Sequence, residues 1–161
     1  MRLVDSLRYR SAVALNQALK GKEYQEVSFP VLREQVLQFA DAIGEDDPLF
    51  RDPEAARAAG YPEQLAPPTF ITKMQIMTSG QAVVDQELGL DYSRVVHGEQ
   101  EYVWVRPVFV GDVLTAVPRI ADIFAKKSNE YLVIEAEIKD ARGQTVAVGK
   151  TTLISRGTGG G

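Results

Sequence analysis

The stretch that decides the fold is FITKMQIMTSGQAVVDQELG, residues 70–89. Its apolar residues fall on nearly every side of a helical wheel, and a helix of that kind must be covered by other parts of the protein. They are Phe70, Ile71, Met74, Ile76, Met77, Ala82, Val83 and Val84. The sequence therefore predicts one long helix that is buried at the centre of the domain.

Four segments with alternating apolar and polar residues follow this helix: VVHGEQEYVWVRPV, DVLTAVPRIADIF, EYLVIEAEIKD and TVAVGKTTLIS. Such alternation is typical of strands with one buried face. Turn residues separate them at Gly111-Asp112, at Ser128-Asn129 and around Gly143, and short connections favour antiparallel neighbours. A helix laid across one antiparallel sheet gives the α+β class.

The segments before the central helix predict further helices and one strand. The first twenty residues favour a helix that Gly21 ends, and KEYQEVSF favours a short strand. Ser28 is the predicted N-cap of a second helix, which Gly44 ends. A third helix begins with Asp52 as its N-cap and Pro53 in its first position.

Composition limits the functions that the chain can have. A length of 161 residues suits one domain, expected over residues 1–156, with 157–161 as a flexible Gly-rich tail. The net charge of -4 gives no reason to expect a nucleic acid or a membrane surface as a partner. One histidine and no cysteine argue against a metal site, and the sequence suggests no cofactor. No apolar run is long enough to cross a membrane, so we expect a cytoplasmic protein.

Three motifs together resemble the MaoC-like hydratase/dehydratase family of the hot-dog fold. They are FADAIGEDDPLFRDPEAARAAGY (39–61), LAPPTF (65–70) and HGEQEYVWVRPVFVGDVL (97–114). The resemblance implies a curved antiparallel sheet wrapped around a long central helix, with chains paired as dimers. It implies an acyl chain carried as a thioester by CoA or acyl carrier protein. The implied reaction is reversible, (R)-specific addition of water to a trans-2-enoyl thioester.

Active members of that family carry a Gly-Asp-x-Asn-Pro-x-His motif that supplies the acid/base residues. In this sequence Gly44 and Pro48 match, while Glu45 stands at the Asp position, Asp47 at the Asn position and Phe50 at the His position. A phenylalanine can neither accept nor donate a proton. The resemblance therefore implies the non-catalytic subunit type of a (3R)-hydroxyacyl thioester dehydratase, which pairs with a catalytic MaoC-like subunit and shapes the acyl channel.

The candidate site residues follow from this motif and from the start of the central helix. Glu45 and Asp47 are candidate catalytic carboxylates, although a solvated turn that ends a helix would carry the same acids. His97, the one histidine, is a further catalytic candidate at the start of a strand. Backbone amides at the helix start are expected to face the thioester. The expected substrate-binding residues are Phe50, Pro68, Thr69, Phe70 and Ile71.

Three other functions stay open at this point. One is an active hydratase homodimer with an atypical acid/base pair, in which Glu45 or Asp47 works with His97 or another unusual donor. The second is a hot-dog acyl-CoA thioesterase that uses a carboxylate without a histidine, and the third is a module that only binds acyl thioesters. Whether the chain alone is an enzyme is therefore undecided. A single hot-dog domain leaves a sheet edge and apolar surface uncovered, so we expect a homodimer or a heterodimer.

Overall fold

The computed structural model describes residues 14–159, so most of the predicted N-terminal helix lies outside the described residues. Three α-helices lie within the described residues: α1 (Arg33–Ile43), α2 (Pro53–Ala58) and α3 (Thr72–Val83). The same part of the chain forms five strands: β1 (Val27–Pro30), β2 (Val95–Trp104), β3 (Val113–Lys126), β4 (Asn129–Lys139) and β5 (Thr145–Ser155). Short 3-10 turns connect them: Gln17–Leu19, Pro48–Phe50, Pro68–Ile71, Gln86–Leu88 and Tyr92–Arg94.

The five strands form one antiparallel sheet in the order β1-β3-β4-β5-β2. The sheet curls around α3, which contacts β1, β3, β4 and β5. The predicted α+β hot-dog fold is therefore confirmed. The expectation that consecutive strands are neighbours is wrong for β2 and β3, because β2 pairs with β5 at one edge while β3 lies near the other.

The central helix is buried on one side only. Met74 and Ala82 are fully buried, whereas Ile76 is 66% exposed and Val84 is 77% exposed. The prediction of burial on nearly every side is thus wrong for the single chain. One curled sheet covers one face of a helix, and the opposite face remains open unless another chain or a ligand covers it.

The core is centred on the segment that leads into α3. The Phe70 ring lies 5.9 Å from the Phe29 ring and 5.6 Å from the Phe39 ring, measured between ring centroids. Phe29 belongs to β1 and Phe39 to α1. These aromatic contacts fix the first turn of the central segment against both elements.

The structure corrects one predicted helix start and confirms another. Ser28 and Pro30 lie in β1, where they pair with β3, so Ser28 is not an N-cap. Helix α1 begins after Leu32, which provides no side-chain cap. Sheet pairing therefore prevails over the local capping preference. Asp52 does cap α2, and its side chain accepts a hydrogen bond from the Glu54 amide at 2.9 Å.

The last described residues contact the turn between β3 and β4. The Gly157 amide donates to the Asn129 side chain at 3.1 Å, and the Gly159 amide donates to the Ser128 carbonyl at 3.1 Å. Thr158 between them is buried. The part of the expected tail that the structure describes is thus hydrogen-bonded to the domain.

Candidate functional site

The acidic motif begins where α1 ends at Gly44. This glycine has φ 69°, a left-handed conformation that glycine adopts without steric cost. Its amide donates to the Asp41 carbonyl at 3.2 Å, and the next amide, of Glu45, donates to the Ala40 carbonyl at 2.9 Å. Helix α1 therefore ends here, and the acidic residues 45–47 lead directly into the turn Pro48–Phe50.

The two candidate carboxylates hold that turn together. Glu45 accepts a hydrogen bond from the Asp47 amide at 3.0 Å, and Asp47 accepts one from the Leu49 amide at 2.9 Å. Asp47 is exposed and Glu45 is half-buried. Arg51 donates to the Glu45 carbonyl at 2.8 Å and also pairs with Asp41. Both carboxylates thus act as local caps of the turn.

Phe50 lines a groove of about 310 Å³, which we call the Phe50 groove. Its walls are Phe50, Leu65, Ala66, Pro68 and the segment 104–108. Arg106 is the one charged residue among them, and its guanidinium donates to both Asp112 oxygens, at 2.8 and 3.1 Å. These hydrogen bonds raise the pKa of Arg106, which stays charged. The groove accordingly presents apolar surface and no side chain that exchanges protons near neutral pH.

A buried glutamine positions Phe50. Gln64 is fully buried, and its side-chain amide donates to the Phe50 carbonyl at 2.8 Å. The neighbouring Leu65 amide donates to the Leu49 carbonyl at 3.1 Å. Sequence reasoning missed Gln64, because one glutamine outside any repeating pattern gives no signal that it is buried.

The turn Pro68–Ile71 carries the other predicted substrate-binding residues. The Pro68 side chain lies in the Phe50 groove, whereas the Phe70 and Ile71 side chains are fully buried in the core. The Phe70 amide donates to the Pro67 carbonyl at 2.8 Å, so it is not available to a ligand in this conformation. Thr69 is exposed, its side chain caps nothing, and its amide is one of those that a helix start leaves without an intrahelical acceptor.

His97 lies elsewhere, in a second groove of about 630 Å³ between α3 and the strands β2 and β5. We call it the His97 groove. The ring Nε2 of His97 lies 3.3 Å from the Gln100 side-chain oxygen. Among the described residues no hydrogen bond or ion pair joins His97 to Glu45 or Asp47. The structure therefore places Phe50 and Pro68 in one groove and His97 in the other.

Tyr102 connects the two grooves. Its hydroxyl lies 2.8 Å from the Thr72 hydroxyl, and Thr72 lines the His97 groove at the start of α3. Its ring lies 5.8 Å from that of Trp104, which lines the Phe50 groove. Burial raises the pKa of Tyr102, so the hydroxyl remains neutral and ties β2 to the helix.

Residues 18–148 match the family described as "FAS1-like, dehydratase domain region". The chain belongs to this dehydratase family. It is 46% identical over 145 residues to a UPF0336 protein of Saccharopolyspora erythraea, covering 89% of this chain and 93% of that protein. A UPF0336 protein of Streptomyces coelicolor is 41% identical, covering 89% and 97%.

Solved structures agree with the family assignment. The chain matches the HadBC (3R-hydroxyacyl-ACP dehydratase) complex of Mycobacterium tuberculosis with a TM-score of 0.74 and 29% identity, covering 84% of this chain and 96% of that chain. A structure described as a MaoC-like dehydratase gives a TM-score of 0.80 at 22% identity, covering 87% and 43%, and that match shows the fold alone. The family member described here therefore has the MaoC-like hot-dog fold.

Two further properties concern metals and membranes. Within residues 14–159, no group of three or more His, Cys, Asp or Glu side chains is arranged to hold a metal ion. In the same part of the chain, none of the helices has the length and apolar character that a membrane crossing requires.

Proposed function

We propose that this family member is the acyl-channel-forming subunit of an (R)-3-hydroxyacyl thioester dehydratase, which in reverse is an (R)-specific enoyl-CoA hydratase. A partner MaoC-like subunit would supply the acid/base histidine. The observation that carries the proposal is Phe50, which lines the groove at the motif position where active relatives carry that histidine. We place this role in cytoplasmic fatty acid metabolism, with CoA or acyl carrier protein holding the acyl chain.

The chemistry explains why Phe50 matters. Adding water to an enoyl thioester requires a group that removes a proton from water and returns one to the α-carbon, at a pKa near neutral. Glu45 and Asp47 accept hydrogen bonds within their own turn, and Arg106 is held by Asp112. Each of these side chains is held by contacts of its own, which supports a second subunit as the source of the acid/base residue.

The open edge of the sheet supports a partner subunit. Strand β2 pairs with β5 on one side, and its other edge has no pairing strand among the described residues. Apolar side chains are exposed on β2, just after it and on the open face of α3: Val96, Val103, Trp104, Val105, Ile76, Met77 and Val84. An uncovered strand edge beside apolar surface is a typical protein interface. The structurally similar HadBC protein is itself a complex.

The Phe50 groove supports the binding part of the proposal. Its walls are mostly apolar, which suits the methylene groups of an acyl chain, and Pro68 places the start of the turn Pro68–Ile71 beside it. The exposed Thr69 follows Pro68 in the sequence. Its backbone amide can donate to a thioester oxygen, and this donation does not depend on the identity of the side chain.

The test is an assay of the purified chain alone with a trans-2-enoyl-CoA, in which enoyl absorbance and free thiol are followed together. We expect neither signal to change, while acyl-CoA raises the melting temperature because it binds the folded chain. Loss of enoyl absorbance would instead favour an active homodimer with an atypical acid/base pair. Release of thiol would favour an acyl-CoA thioesterase, and either result would overturn the proposed role.

A further inference from the structure

The His97 groove contains a chain of hydrogen bonds that the proposed function does not use. The Gln75 side-chain nitrogen donates to the Thr151 hydroxyl at 3.1 Å, and Thr151 donates to the Gln100 side-chain oxygen at 2.8 Å. Gln100 contacts His97 at 3.3 Å. Gln75 and Thr151 are buried and His97 is exposed, so this series of hydrogen bonds runs from the core to the groove surface.

The direction of every bond in this chain is fixed from one end. The Gln100 side-chain nitrogen donates to the Lys150 carbonyl at 3.0 Å, and a carbonyl can only accept. Gln100 must therefore turn its oxygen towards Thr151 and His97. Thr151 then donates to that oxygen and accepts from Gln75. His97 has to donate its Nε2–H to the same oxygen.

This direction determines what His97 offers to a ligand. A neutral imidazole has one N–H and one bare nitrogen. In the neutral ring with its one proton on Nε2, Nδ1 is the acceptor. Ser79, on the α3 side of the groove, gives its hydroxyl proton to the Gln75 carbonyl at 2.8 Å and keeps its lone pairs as acceptors. These two side chains therefore present acceptors to the groove.

The groove also lacks charge. Among its described lining residues there is no Asp, Glu, Lys or Arg, and the apolar part of its wall comes from residues such as Ile76, Val83 and Leu153. A charged ligand group would lose its hydration there without a compensating ion. A volume of about 630 Å³ is within the range of small-molecule sites.

We propose that the His97 groove binds a neutral, mostly apolar ligand chain that carries one hydrogen-bond donor. His97 Nδ1 accepts the hydrogen bond from that donor, and Gln75, Thr151 and Gln100 are positioning residues that hold the His97 ring. The donor is either a hydroxyl on the acyl chain or an amide N–H of the thioester arm. That the apolar chain belongs to an acyl thioester rests on the proposed function.

The experiment measures binding by titration calorimetry, without turnover. The ligands are a saturated acyl-CoA, the (R)-3-hydroxyacyl-CoA of the same length, and pantetheine. If the hydroxyl is the donor, the wild-type chain binds the hydroxyacyl-CoA about 2- to 10-fold more tightly than the saturated one, the range of one neutral hydrogen bond. The exposed substitution His97→Leu removes that preference. If the amide is the donor, His97→Leu weakens the binding of pantetheine and of both thioesters by the same factor.

Adjacent threonines on β5 provide a matched pair of variants. Thr151→Val breaks the chain of hydrogen bonds, whereas Thr152→Val makes the same change at a residue that lines a different groove, together with Glu99 and Tyr131. We expect Thr151→Val to reduce the His97-dependent preference, and Thr152→Val to leave it unchanged.

Two results would overturn the inference, and they differ in what they say about the proposed function. If the thioesters bind but His97→Leu alters none of the affinities, the inference is wrong and the proposed function stands. If none of the three ligands binds, the inference is wrong and the proposed function loses its support as well.

Discussion

The Phe50 groove borders β2 and the turn Pro68–Ile71, and the His97 groove borders β2 and α3, yet their chemistry is opposite. The first occupies the position of the family motif, and Phe50 and Pro68 give it an apolar wall. The second lies outside that motif and contains the one histidine, held by a directed chain of hydrogen bonds. The motif position and the one histidine of the sequence therefore lie in different grooves.

The aromatic core beneath the Phe50 groove gives the largest expected effect on stability. Phe70→Ala removes a fully buried ring that contacts Phe29 and Phe39, and we expect a loss of about 3–5 kcal/mol in the free energy of unfolding. Urea unfolding measures it. Thr69→Ala, at the exposed neighbouring position, is the control and should change that free energy by less than about 0.5 kcal/mol. Equal losses in both variants would contradict the packing described here.

The next effect concerns the buried end of the His97 groove. A Cβ on Gly149 would collide with the Gln75 side-chain oxygen, which has no hydrogen-bond partner among the described residues. Gly149→Ala therefore displaces Gln75 from Thr151, and we expect a loss of about 1–3 kcal/mol.

Two variants sharpen that prediction. Gly80→Ala adds a Cβ to open space within α3 and should stabilise by up to about 1 kcal/mol, because alanine favours helix. Adding Gln75→Ala to Gly149→Ala removes the obstructing group, so the double variant should lose less than the sum of the two single losses. Additive losses would mean that Gln75 does not occupy the space beside Gly149.

A third effect depends on pH and lies where α3 ends beside the His97 groove. Hydrogen bonds from Lys22, then Tyr24, hold the pKa of Asp85 below its ordinary value of 3.8. A carboxyl with a lowered folded pKa stabilises the fold above that ordinary value, and the stabilisation disappears as pH falls through the folded pKa. Asp85→Asn should therefore destabilise the chain at pH 7, and the difference should shrink below about pH 4.

Glu87→Gln is the matched control for Asp85→Asn. Glu87 also pairs with Lys22, but its side chain is 72% exposed, against 11% for Asp85, so solvent screens that pair more strongly. Unfolding at pH 7 and pH 3 measures both variants. A pH dependence that is as large for Glu87→Gln as for Asp85→Asn would contradict the assignment to Asp85.

The smallest effects concern the two candidate carboxylates, Glu45 and Asp47. Asn caps a turn as well as Asp, so Asp47→Asn should be nearly neutral, whereas Asp47→Ala should cost about 1 kcal/mol. Glu45→Gln should leave the turnover of an assembled dehydratase within about twofold. A loss of about 100-fold or more, typical of removing a general base, would identify Glu45 as catalytic.

Local patterns in the sequence were sufficient to predict most of the fold. The four alternating segments became β2 to β5. In β3, β4 and β5 the alternation marks one buried face, whereas no residue of β2 is buried in the single chain. Strand order was not predictable in the same way, since β2 crosses to the edge beside β5. Ser28 looked like a cap because its pairing with Thr115 on β3 is a long-range contact that no local pattern reports.

The candidate site was predictable only where a motif position decided it. Phe50 and Pro68 came from the motifs and share one groove. The caps formed by Glu45 and Asp47, the buried Gln64, and the Gln75 network depend on tertiary contacts between residues that are far apart in the sequence or carry no periodic signal.

The measurement that tests the central claim most directly is a titration of the chain into a catalytic MaoC-like subunit, with enoyl-CoA hydration as the readout. We expect the chain alone to be inactive and the rate of the mixture to rise until the two subunits are equimolar. Hydration by the chain alone, or a rate of the catalytic subunit that does not change on addition of the chain, would contradict the account.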